Sequence, residues 1–125
     1  MRQAGECTCL LVDDDRIARE FMVSACKMLG VNYVATPSVN EAITLMRSRT
    51  FDLVVLDHEL NGVTGLSMLA YLGGRVPAAT DIIVCSSRVE AAEMRAYERL
   101  SVREVLRKPV TLDQLAFAMR KTLSI

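Results

Sequence analysis

The sequence predicts an α/β protein: a doubly wound, five-stranded parallel sheet in the flavodoxin-like order 2-1-3-4-5, with helices on both faces. Two observations carry this. Short runs rich in Val, Leu and Ile recur without polar alternation, as strands covered on both faces require. Each run is followed by a segment of helical period. Parallel crossovers are right-handed, so repeated strand-helix units distribute helices over both sides of the sheet.

The strand candidates in order are Thr8 to Asp13, Tyr33 to Thr36, Asp52 to Asp57, Asp81 to Ser86, and Arg103 to Arg107. The first helix is expected from about Arg16 to Leu29, with Ile17, Phe21, Ala25 and Leu29 as its buried row and Gly30 as its stop. The second opens on Ser38 with Glu41 three residues on, a capping-box pattern, and buries Val39, Ala42, Ile43 and Met46. Leu66, Leu69, Ala70 and Leu72 mark a third helix ending at Gly73 and Gly74, and Val89, Ala92, Ala96 and Leu100 mark a fourth. Thr111 and Gln114 form another capping-box pattern, ahead of Leu115, Met119 and Leu123. No internal repeat, linker or low-complexity stretch interrupts the series. A chain of 125 residues that is 51% hydrophobic is read as one domain over 1–125, with a core from about 8 to 123.

Composition narrows the function classes. Fifteen basic side chains offset fifteen acidic ones, so no net field draws the chain to nucleic acid or to an anionic membrane surface. No apolar run approaches the roughly 20 residues needed to cross a bilayer, and the chain reads as cytoplasmic. Cys7, Cys9, Cys26 and Cys85 lack the paired spacing of a structural zinc site and are read as small buried hydrophobes. A soft metal shared by Cys7 and Cys9, two apart on one strand, is the weaker alternative.

In an open parallel sheet, ligands bind beyond the carboxyl ends of the strands. Those ends are chemically loaded here: Asp13, Asp14 and Asp15 close the first strand, Asp57 the third, Ser86 the fourth, and the fifth runs into Lys108 and Pro109. Carboxylates converging on one edge repel one another, and a hard divalent cation resolves the conflict. Oxygen donors favour magnesium, or manganese, over zinc. A lysine and a hydroxyl beside that cation supply what phosphoryl transfer needs, and Asp57 is then the nucleophile that takes the phosphoryl group as an acyl phosphate.

The stretches Leu10-Leu11-Val12-Asp13-Asp14-Asp15, Asp52-Leu53-Val54-Val55-Leu56-Asp57 with Gly65 eight residues on, Ile82-Ile83-Val84-Cys85-Ser86-Ser87, and Lys108-Pro109 together resemble response-regulator receiver domains such as the chemotaxis response regulator. The resemblance covers nearly the whole chain. It implies a switch rather than a turnover enzyme, one that catalyses only its own phosphorylation and dephosphorylation. Asp57 matches the phosphoacceptor, which also ligates the metal. Asp14 matches a direct ligand, Asp13 one acting mainly through water, and Glu59 the residue lending its backbone carbonyl. Ser86 matches the switch hydroxyl and Lys108 the lysine that pairs with the phosphoryl group, with a cis bond usual before Pro109. The implied donor is a sensor histidine kinase or a phosphotransfer protein. The output partner or domain is left open, as is a homodimer.

The sequence departs from the family pattern at several positions. Asn61 replaces a common proline, and Asn61-Gly62 is expected to make the loop turn through positive φ. Val105 stands where many relatives carry a switching aromatic, and Leu100-Ser101 replaces the usual small lead-in to the fifth strand. Glu59 and Arg88 flank the family's path of hydrolytic water, and an ion pair between them would alter phosphoryl lifetime. His58 adjoins Asp57 but points to the opposite face, which makes it structural or solvent-exposed. Tyr97, with Arg95 and Glu98, is read as part of a solvated helix face or, less simply, of a partner surface.

Other functions fit less well. A haloacid-dehalogenase-like phosphatase would use Asp13 and Asp15, but the chain lacks the expected cap domain. A receiver-like interaction module that is not regulated by phosphorylation leaves the strand-end constellation without a purpose. Nucleotide binding lacks a Gly-rich loop after the first strand.

Overall fold

A computed structural model describes residues 2–125. Seven strands and five α-helices follow one another: β1 (Thr8–Val12), α1 (Arg16–Leu29), β2 (Asn32–Thr36), α2 (Val39–Ser48), β3 (Leu53–Asp57), β4 (Glu59–Leu60), β5 (Val63–Thr64), α3 (Gly65–Leu72), β6 (Asp81–Ser86), α4 (Ala91–Arg99), β7 (Glu104–Arg107) and α5 (Leu112–Leu123). The main sheet has the order β2-β1-β3-β6-β7 with every pair parallel. Leaving out the small β4-β5 hairpin, this is the flavodoxin-like order 2-1-3-4-5 expected for the sequence.

Alternation along each strand feeds two apolar layers. Cys9 and Leu11, Leu53 and Val55, and Ile83 and Cys85 join Met22, Ala25 and Cys26 of α1 and Leu115 and Met119 of α5. The intervening residues Leu10 and Val12, Val54 and Leu56, and Ile82 and Val84 pack with Ile43 of α2, Met68 and Leu69 of α3, and Tyr97 of α4. Both sets are essentially excluded from water. A strand with apolar residues at every position can rest only in a sheet covered on both faces, which accounts for the unbroken Val, Leu and Ile runs.

The helix ends follow local chemistry. The Asp15, Ser38, Thr64 and Thr111 side chains each accept the backbone amide three residues on. Such caps stabilise a helix by about 1 kcal/mol. The Thr111–Gln114 box closes in both directions, whereas Ser38 accepts from the Glu41 amide without a reciprocal bond to its own amide. Gly30 ends α1 in the left-handed region, as expected of a C-terminal glycine.

Several buried faces differ from the sequence reading. On α1 the inward residues are Met22, Ala25 and Cys26, while Ile17 is 77% exposed. A strict four-residue row drifts around the axis: at 100° per residue Ile17 lies roughly 140° from Met22. On α3, Met68 takes the buried place expected of Ala70, which is exposed. On α4 the buried residue is Tyr97; Ala92 is exposed, and Val89 and Leu100 lie just outside the helix. Tyr97 is therefore neither on a solvated face nor on a partner surface, because its ring fills the layer under α4 and its hydroxyl finds a buried partner.

The β4-β5 hairpin has no counterpart in the strand reading, since two residues per strand are too few to show a period. Its turn was legible: Asn61 (φ 47°) and Gly62 (φ 84°) both lie in the left-handed region, as the two-residue Asn-Gly hairpin requires. Directly after it, Gly65 leaves no room for a side chain. A Cβ there would collide with the Leu56 side chain and sit 2.9 Å from the Asp57 carbonyl oxygen. Gly65→Ala is accordingly expected to cost about 1–3 kcal/mol by overpacking, measured by chemical denaturation; an unchanged midpoint would contradict the packing described here.

Candidate functional site

Parallel strands deliver their carboxyl ends to one edge, and the side chains named from the sequence meet there. Asp57 ends β3, with Cys85 of β6 as its register partner. The carboxylate oxygens of Asp13, Asp14 and Asp57 lie within 4.8 Å of one another. Lys108, held by the backbone bond from its amide to the Ser86 carbonyl, places Nζ 3.3 Å from Asp57 Oδ2. The Lys108–Pro109 peptide is cis. The Glu59 amide approaches Asp57 Oδ1 at 3.4 Å, so one carboxylate is addressed from both sides.

The three aspartates differ in environment. Asp14 is exposed, Asp57 retains slight access, and Asp13 has none. Asp13 Oδ1 accepts the Asp15 amide at 2.9 Å, whereas Oδ2 is buried without a hydrogen-bond partner. Burial pushes the Asp13 carboxyl from its ordinary 3.8 up to about 6, and the Asp57 and Asp14 charges add to the rise, against the Asp15 amide and Lys108. A buried carboxylate oxygen with an empty coordination valence, facing two further carboxylates, fits a hard cation with oxygen ligands.

Ser86 stands at the edge but its hydroxyl is turned aside. Oγ donates to the Arg88 carbonyl at 2.9 Å and accepts the Arg88 amide at 3.0 Å. Glu59 and Arg88, whose pairing the sequence leaves open, form no ion pair among the described residues. Both side chains are exposed, and the Arg88 backbone is occupied with Ser86. Arg19, which sequence reasoning did not single out, donates from Nη1 to the Asp13 carbonyl at 2.9 Å and braces the strand end against α1.

All four cysteines are buried free thiols, in line with the sequence reading, and Cys7 and Cys9 join no metal-binding group among the described residues. Cys85, packed behind the site, is pushed up to about 12 by burial, which keeps it an unreactive thiol. His58 is buried on the face opposite Asp57, as strand alternation requires.

Fold and site together define a doubly wound α/β protein with a cation-competent acidic cluster and one lysine at the carboxyl edge of its sheet. The family profile described as response regulator receiver domain matches residues 9–120, and the chain belongs to that family, whose members are the signalling switches of two-component systems. It is 36% identical over 115 residues to the positive alginate biosynthesis regulatory protein of Pseudomonas aeruginosa, covering 90% of this chain and 45% of that protein. It is 29% identical over 113 residues to the sensor histidine kinase AruS of the same species, covering 88% of this chain and 11% of the kinase. The chain thus spans less than half the length of these curated relatives. Among solved structures, a response regulator receiver protein from Pseudomonas putida superposes with a TM-score of 0.80 at 27% identity, covering 92% of this chain and 96% of that one. The fold is also that of a receiver domain protein from Methanospirillum hungatei, with a TM-score of 0.86, 16% identity and 94% of each chain covered. No helix among the described residues is long and apolar enough to cross a membrane.

The Asp13 shift has a consequence for stability without divalent metal. Its folded pKa lies above the unfolded value, so the folded state binds the extra proton between about 4 and 6, and stability falls as pH rises through that window. Asp13→Asn keeps an oxygen for the Asp15 amide and removes the charge. In chelator-treated protein it is expected to be more stable than the parent at pH 7.5, by on the order of 2 kcal/mol, with the gain shrinking as pH falls through 6. Denaturation curves at both ends of the range check this; a pH-independent difference would refute it.

Proposed function

We propose that this chain is a phosphorylation switch of a cytoplasmic two-component pathway, accepting a phosphoryl group on Asp57 from the phosphohistidine of a sensor histidine kinase or phosphotransfer protein. The observation that carries this is the meeting of three carboxylates within 4.8 Å of one another, with Lys108 Nζ 3.3 Å from Asp57 Oδ2. Asp13, Asp14, Asp57 and the Glu59 carbonyl are the residues that would hold magnesium, or manganese in its place. Such an ion, when bound, offsets negative charge on the carboxylates and on the phosphoryl oxygens.

The remaining work falls to side chains. A carboxylate oxygen of Asp57 attacks phosphorus; the new O–P bond forms as the N–P bond to the donor imidazole breaks, and that imidazole leaves carrying the bonding pair. Lys108, already beside the attacked carboxylate, stabilises charge on the transferred group without rearrangement. The Asp57 side chain is 13% exposed, so its carboxylate is reachable from the solvent side. Ser86 gives up its bond to the Arg88 carbonyl to donate to a phosphoryl oxygen, and that exchange frees the loop leading into α4.

The donor has a place to dock. A groove of about 530 Å³ runs beside the acidic cluster, lined by Ile17, Phe21, Pro109 and Val110, with Asp13 and Lys108 at its inner end. The exposed Ile17 supplies an apolar contact close to the site, as a helix presenting a histidine would use.

Intact-mass measurement with a small phosphodonor and magnesium tests the assignment. The parent is expected to gain one phosphoryl group, and Asp57→Asn or chelation of the metal to abolish the gain. Lys108→Ala should slow phosphorylation at least about tenfold, in proportion to a lost charge-stabilising donor. A phosphoryl group that persists on Asp57→Asn, or turnover of free phosphate esters, would place the chemistry elsewhere.

A further inference from the structure

Residue 58 follows the phosphoacceptor, yet its ring is buried on the opposite face of the sheet, 39 residues in sequence from its partner on α4. His58 Nδ1 meets the Tyr97 hydroxyl, and Nε2 lies 3.1 Å from Glu93 Oε2. The imidazole is 5% exposed and the Glu93 side chain 30%, while Tyr97 is wholly buried. One hydrogen bond thus joins His58 Nδ1 to the Tyr97 hydroxyl, and Nε2 faces a carboxylate that can only accept.

The backbone anchors both ends. The His58 amide donates to the Cys85 carbonyl at 2.9 Å, and the Gly65 amide donates to the His58 carbonyl at 2.6 Å. His58 therefore cannot shift without disturbing β6 and the start of α3. On the other side, the Tyr97 carbonyl accepts the Leu100 and Val102 amides, so the same residue fixes the exit from α4 towards β7. Buried polar networks of this kind have few alternative arrangements, because a half-satisfied network in a low-dielectric interior is costly.

We propose that His58, Tyr97 and Glu93 act as positioning residues forming a latch, which ties the strand end bearing Asp57 to α4 and makes the placement of α4 depend on the state of the acidic site. The proposal rests on the reading of Asp57 as phosphoacceptor. At the mouth of α4, the Ser86 hydroxyl holds the Arg88 backbone; on its inner face, Glu93 and Tyr97 hold His58. Withdrawal of Ser86 towards a phosphoryl group loosens the first hold. The second then decides how far α4 moves and which way. Val105, in the place where relatives carry a switching aromatic, is a small residue packed in the same layer as Tyr97, so the buried aromatic that responds to the strand ends is on the helix instead.

The test uses the whole chain, labelled for amide NMR and titrated with beryllofluoride and magnesium as a phosphoryl mimic. In the parent, amides near Asp13, Asp57 and Lys108 and those of α4 are expected to shift together. Tyr97→Phe keeps the ring and removes the hydroxyl; Glu93→Gln alters a partly exposed side chain and threatens folding least. Both are expected to leave the strand-end shifts as in the parent while reducing those across Ala91–Arg99 at least roughly twofold, the lower end of what loss of one coupling contact produces. A purely structural role would move both sets together or neither. If α4 responds in both variants as it does in the parent, the latch is refuted. If the strand ends of the parent do not respond at all, the reading of Asp57 fails first and takes the latch with it.

Discussion

The structure turns on an electrostatic conflict held at one edge of a sheet. Three carboxylates share a space less than 5 Å across, one of them with no access to water, and a single lysine answers them. In a low-dielectric setting such a cluster is destabilising unless positive charge or protons enter. Burial, with the Asp57 and Asp14 charges adding to it, pushes the Asp13 carboxyl up to about 6, so a proton there eases the conflict only at mildly acidic pH. A divalent cation would resolve the same conflict without protonation, and the phosphoryl group proposed for Asp57 would renew it. A site balanced in this way responds to cation and anion alike, which is what a switch requires and what a rigidly neutralised site would lack.

That balance depends on the parallel topology. Because every strand of the main sheet runs the same way, residues from positions 13, 57, 86 and 108 arrive at one edge by strand length alone. The strict two-residue alternation then sorts neighbours in sequence to different tasks. Asp57 follows Leu53 and Val55 towards the α1-α5 layer, and His58 follows Val54 and Leu56 towards the layer under α4. One peptide bond thus joins a reactive carboxylate to the interior of the opposite face. Chemistry on one side and packing on the other are linked at the closest distance the backbone permits.

Much of this is legible in the sequence because it follows from local rules. Unbroken apolar runs give parallel strands, alternation with helical periods gives the doubly wound sheet, and acidic residues at strand ends give the edge where the site lies. The Asn61-Gly62 turn reads directly from its φ requirement. What escapes is non-local. Tyr97 looks like part of a polar helix face until its partner, His58, is brought to it by β3 and α4 packing. Ile17 continues an apparent apolar row, but the row winds away from the core and leaves it beside the groove. Arg19 declares no role until α1 folds over the Asp13 carbonyl. The burial of Asp13 next to an exposed Asp14 likewise depends on where β1 stops, not on composition.

The departure at Val105 and the burial of Tyr97 bear on one another. A strand residue that swings between solvent and interior needs a void to enter, and a small side chain at that position leaves nothing bulky to swing. Here the layer is filled from the helix side by an aromatic whose hydroxyl is already committed to His58. A tyrosine so held cannot rotate independently of its helix; it moves only as α4 moves. Under the proposed latch, signal transfer would be a displacement of the whole helix against His58 rather than a rotamer change of one side chain. The reporting surface under that proposal would be the exposed flank of α4, which carries Arg95, Glu98 and Arg99.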